Sequence, residues 1–64
     1  MIKKLIRIRD VVQITSMSKS QIYALAKTSE FPAPIKLGSS SFWIFSEVNE
    51  WIDSKIRIAR GNSV

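Results

Sequence analysis

From Ile8 onward the apolar residues Ile8, Val11, Val12 and, less regularly, Ile14 recur at helical spacing, which predicts a short helix. Several of these side chains are β-branched, so local propensity pulls the same segment toward a strand. Before it, Met1 to Arg7 alternates loosely and predicts an extended segment that Lys3 and Lys4 leave poorly anchored. Thr15-Ser16-Met17-Ser18 is a polar break with one apolar plug. Ser18 opens Ser18-Lys19-Ser20-Gln21, a capping-box pattern in which the Gln21 amide donates to the Ser18 hydroxyl and the Ser18 amide donates to the Gln21 side chain. Behind that cap, Ile22, Leu25 and Ala26 make one apolar stripe, with Ser20, Tyr23, Ala24 and Lys27 on the opposite face. Pro32 requires this second helix to end by Phe31.

Phe31-Pro32-Ala33-Pro34 reads as an extended connector, because both prolines fix their own φ and bias their predecessors away from helix. Ile35-Lys36-Leu37 and Phe42-Trp43-Ile44-Phe45 flank Gly38-Ser39-Ser40-Ser41 and predict a β-hairpin. Pairing Leu37 with Trp43 puts Ile35, Leu37, Trp43 and Phe45 on one face and Lys36 and Ile44 on the other, the register that buries most. Ser46 is the expected N-cap of a third helix, with Glu47 in its first turn. Val48, Trp51, Ile52, Ile56 and Ala59 keep helical spacing to about Arg60, and Gly61 and Asn62 supply the stop. The predicted fold is mainly α with a small β-hairpin: a winged helix-turn-helix in the order helix, turn, helix, two-strand wing, helix.

A chain of 64 residues is expected to form one domain, 1–64, with its core over about residues 5–60. At this size folding buries only about 60% of the unfolded surface. No cysteine and no histidine is present, which removes disulfides and the common zinc sites as staples and leaves no cofactor to expect. Ten Lys and Arg against five acidic residues give a net charge of +5, which points to nucleic acid first and an anionic membrane surface second. The longest apolar run, Phe42 to Phe45, is far too short for a membrane span. Arg7 and Arg9 interrupt the N-terminal apolar stretch before it reaches signal-peptide length, so a cytoplasmic location is expected. Catalysis is not expected: the carboxylates Asp10, Glu30, Glu47, Glu50 and Asp53 form no acid–base constellation, and Gly38 and Gly61 stand alone.

The helix-turn-helix reading requires a second helix that offers small and basic side chains to the major groove of DNA. Lys19 and Lys27 can reach phosphates, Ser20 and Gln21 can meet base edges or sugars, and Tyr23 can donate to a phosphate. Ala24 permits close approach or contact with a thymine methyl. Each also has a plainer role: Gln21 as half of the cap, Tyr23 as a half-buried core aromatic, the lysines as solvated charges.

Leu5 to Val11, the turn into Ser18 to Tyr23, Phe31-Pro32-Ala33-Pro34-Ile35-Lys36-Leu37-Gly38, and Trp43 with Ser46-Glu47-Val48-Asn49-Glu50-Trp51-Ile52 resemble the AlpA family over about residues 5–56. These are small phage and genomic-island regulators, related to excisionases and to the MerR-like winged-helix fold. The resemblance implies a transcriptional regulator or recombination directionality factor of a mobile element. Its partners would be double-stranded DNA at an operator or attachment site and an integrase or recombinase. Carried over by position, Lys19, Ser20, Tyr23, Ala24 and Lys27 form the recognition face, and Lys36 with the serines of the turn, Ser39 and Ser40, belongs to the wing. The sequence departs from the family where basic residues usually flank the wing tryptophan; here Phe42 and Ile44 stand. Ala24 likewise replaces a residue that is often basic. Fewer cations mean fewer phosphate contacts. An apolar wing edge at Phe42 and Ile44 suggests a protein contact or a minor-groove wedge, unless the N-terminal segment or the third helix covers it.

Overall fold

The computed structural model describes residues 3–61. The order is β1 (Leu5–Ile6), α1 (Ile8–Thr15), α2 (Lys19–Lys27), β2 (Ile35–Leu37), β3 (Ser40–Ile44) and α3 (Phe45–Ala59). This is a mainly α winged helix-turn-helix. Its sheet has three strands rather than two, in the order β1-β3-β2 with both pairs antiparallel. The end of the N-terminal segment is therefore anchored at Leu5 and Ile6: Leu5 pairs with Ile44 and Ile6 with Trp43. Met1 and Ile2 of the expected extended segment and Asn62 of the expected helix stop lie outside the described residues.

Helix wins over strand in α1 because the helix sets Val11 fully inside the core, and tertiary burial overrides local propensity. Asp10 supports its start, accepting from the Arg7 amide at 3.1 Å. Ser16 ends it in the left-handed region, φ 62°, where its amide donates to the Val12 carbonyl. Thr15 Oγ1 then accepts from the Met17 amide at 3.2 Å, turning the partly buried Met17 onto the core. α2 ends at Lys27, well before Pro32. The Glu30 amide donates to the Leu25 carbonyl and the Ser29 amide to that of Ala26, a Schellman closure with Ser29 at φ 66°.

The core is Ile6, Val11, Ile22, Phe31, Trp43 and Val48, one residue from each strand or helix that meets it plus one from the connector. Two indoles tie that connector down. Trp43 Nε1 donates to the Pro32 carbonyl at 2.9 Å, and Trp51 Nε1 to the Glu30 carbonyl at 2.7 Å. Phe31 stands edge-on to Trp51, with ring centroids 4.7 Å apart.

The hairpin register differs from the expected one. Ile35 pairs with Phe42, Lys36 with Ser41 and Leu37 with Ser40. Pairing Leu37 with Trp43 would leave a loop of residues 38–42, whereas the observed register closes on Gly38-Ser39. Gly38 there takes φ 66°, and an added Cβ would meet nothing within 4 Å, so the glycine is favoured by conformation and not by space. The expected face also changes. Trp43 goes inward with Ile6, while Ile35 and Leu37 go to the opposite, outer face and are 37% and 51% exposed. Phe45 is not in the strand: it is the first residue of α3, and Ile44, not Ser46, is the N-cap. The Lys4 carbonyl satisfies the Phe45 amide at 2.8 Å, so a residue of the N-terminal segment does what a capping side chain usually does. α3 stops at Arg60 and Gly61, the latter at φ 81°.

Candidate nucleic-acid interface

The capping box forms as its residues predict: the Gln21 amide donates to Ser18 Oγ at 3.1 Å, and the Ser18 amide to Gln21 Oε1 at 3.2 Å. It fixes where α2 begins, and so which residues face outward. With Ile22 inside, Lys19, Ser20, Tyr23, Ala24 and Lys27 share one exposed face. Gln21 stands at the edge of that face with its carbonyl oxygen committed to the cap, so only its amide NH2 is free to reach outward.

Tyr23 joins this face to the wing. Its ring centroid lies 5.8 Å from that of Trp43 at an interplanar angle of 56°, and 44% of the residue stays exposed. Part of the ring leans on the core tryptophan, as expected of a half-buried aromatic, and part remains at the surface. Beside it an open apolar hollow is lined by Tyr23, Ala24, Ala26, Lys27 and Pro34. The small side chains at positions 24 and 26 are what leave this hollow open.

The register sorts the wing residues. Opposed residues project to the same side of a sheet, and neighbours along a strand to opposite sides. Lys36, opposite Ser41, therefore shares a side with Trp43, the side on which Tyr23 lies. Ser41 lies on that side too, a placement that the register shows and the run of serines does not. Ser40 goes to the outer side with Phe42 and Ile44, away from α2, while Ser39 is exposed at the tip. The structure thus brings Lys36 toward the α2 face and separates Ser40, Phe42 and Ile44 from it.

The outer side is apolar: Leu5, Ile35, Leu37, Phe42 and Ile44 lie on it, with β1 shielding the Ile44 end. Phe42 and Ile44 are half-buried, whereas Leu5 is 43% exposed. The Arg7 guanidinium sits 4.9 Å from the Phe42 ring centroid, a cation–π contact with no counterpart in the sequence reading. Among the described residues no cluster of three or more His, Cys, Asp or Glu could hold a metal ion, and no helix is long and apolar enough to cross a membrane.

Residues 4–56 match the family described as prophage CP4-57 regulatory protein (AlpA). The chain belongs to the AlpA family. The match takes in the whole helix-turn-helix and wing, and it stops three residues short of the end of α3 at Ala59. The chain is also similar to the uncharacterized protein ORF88 of Enterobacteria phage P4, at 33% identity over 55 residues; these cover 84% of this chain and 62% of that protein. It therefore spans less than two thirds of its relative's length. No solved structure matches. AlpA membership supports a phage regulatory, DNA-binding role in general terms.

Proposed function

We propose that this AlpA-family protein binds duplex DNA sequence-specifically and serves as a transcriptional regulator, an excisionase or both, for a prophage or integrated element. The observation that carries this reading is the exposed face of α2: two lysines, a serine, a tyrosine and an alanine behind a closed capping box, with Lys36 on the same side of the wing. A helix about 10–12 Å across fits a major groove about 12 Å wide. Lys19, Lys27 and Lys36 would neutralise phosphates, Ser20 and the Gln21 amide would meet base edges, and Ala24 would accept a thymine methyl. Family membership supports a non-enzymatic protein; on this reading it works in the bacterial cytoplasm, with residues 1–64 acting as one DNA-binding domain. A module of this size buries only about 600–1,000 Å² on DNA, which favours several copies on repeated sites.

Fluorescence anisotropy at two salt concentrations tests the reading, comparing duplex from around the protein's own gene with scrambled duplex of equal length. Preferential, salt-sensitive binding to the native duplex is expected. Equal weak binding to both would reject sequence-specific recognition.

A second reading rests on the outer sheet side, where Leu5, Ile35, Leu37, Phe42 and Ile44 form an apolar surface. Its position opposite Trp43 and Tyr23 favours a protein contact, such as an integrase, over a minor-groove wedge, because a wedge would need to share the side of α2.

A further inference from the structure

We propose that the C-terminal half of α3 is a self-association surface, on which a second copy of this chain seats its own α3 in antiparallel orientation. Along α3 the inward stripe begins with Phe45, Val48, Trp51 and Ile52, which pack on the core. The same stripe continues through Ile56 and Ala59, but the body of the protein ends first: Ile56 is 45% exposed and Ala59 is exposed too. Ile14, 38% exposed at the end of α1, walls a groove with Ile52, Ile56 and Ala59. Ile52, Ile56 and Ala59 are spaced by four and then three residues, the seam spacing of a coiled coil.

Charge selects the occupant and its direction. Acidic residues come early in α3, at Glu47, Glu50 and Asp53, and basic ones late, at Lys55, Arg57 and Arg60. Asp53 and Arg60 are both exposed and lie two turns apart on the same edge of the seam, about 10 Å along the axis, too far to pair with each other within one chain. An antiparallel second copy with its two-fold axis near Ile56 brings the partner's Arg60 beside Asp53, and symmetry makes the contact twice. A parallel copy would instead set Lys55 against the partner's Arg60. In the antiparallel pair Lys55 approaches its own copy across the other edge, but its ammonium lies 5.6 Å over the Trp51 ring, drawn back from the seam.

The experiment is sedimentation equilibrium of the full chain without DNA, up to high micromolar concentration, so its outcome is independent of the DNA-binding reading. The wild-type chain is expected to dimerise weakly and reversibly. Asp53→Arg and Arg60→Asp each place like charges at both edge contacts and are expected to weaken dimerisation by about tenfold or more. An equimolar mixture of these two variants restores both contacts and is expected to regain wild-type association. Both positions are exposed in the single chain, and circular dichroism checks that each variant folds. A wild-type chain that stays monomeric throughout overturns the proposal and leaves the groove to a different partner. So do variants that dimerise as well as wild type, or a mixture that fails to recover.

Discussion

Trp43 Nε1 donates to the carbonyl of Pro32 across 2.9 Å, so the central strand of the sheet holds the connector that follows α2. Pro32 has no amide to offer, and its carbonyl is one of few groups by which that connector can be fixed. Trp43→Phe keeps most of the ring volume and removes the donor. A destabilisation of about 1–3 kcal/mol is expected, read by urea unfolding. An unchanged midpoint would mean that water replaces the indole without loss.

Gln21 has two candidate tasks, and one substitution separates them. Glutamate also completes a capping box and suits a helix N-terminus, so Gln21→Glu should leave thermal stability within about 0.5 kcal/mol of wild type. Placed at the edge of the α2 face, the same carboxylate should repel phosphate and weaken DNA binding. If anisotropy gives equal affinities, position 21 lies outside the interface and serves the cap alone.

The lysines of α2 are both exposed, so their removal tests contact and not folding. Lys19→Ala with Lys27→Ala should cost about 1 kcal/mol or more of binding and lower the salt slope by roughly two phosphates' worth. A slope identical to wild type would take both residues off the DNA.

For the outer sheet side, Leu37→Ser with Phe42→Ser is the informative pair. Leu37 is 51% exposed and Phe42 half-buried, so a modest loss of stability is expected, mostly from position 42. DNA affinity of the folded protein should be unchanged, while capture of the cognate integrase in a pull-down with purified proteins should fall. Weakened DNA binding with a normal fold would instead place this side of the wing on the duplex.

Much of this protein is decided within four residues along the chain. The Ser18–Gln21 box sets the start of α2 and with it the face that carries Lys19, Ser20, Tyr23, Ala24 and Lys27, because both hydrogen bonds are local and their donors and acceptors are fixed by spacing. The resemblance to the AlpA family was legible for a related reason, since its motifs are short runs of contiguous residues such as Phe31 to Gly38 and Ser46 to Ile52. What the sequence left open depended on partners far away. The hairpin register follows from a two-residue turn at Gly38 and from the pairing of Trp43 with Ile6, and a shift in register moves Ile35 and Leu37 from inside to outside. The start of α3 one residue before Ser46 follows from the Lys4 carbonyl capturing the Phe45 amide. Periodicity alone could not tell which turns of α3 the body would cover, because burial at Val48 and exposure at Ile56 share one stripe and differ only in where the rest of the chain ends.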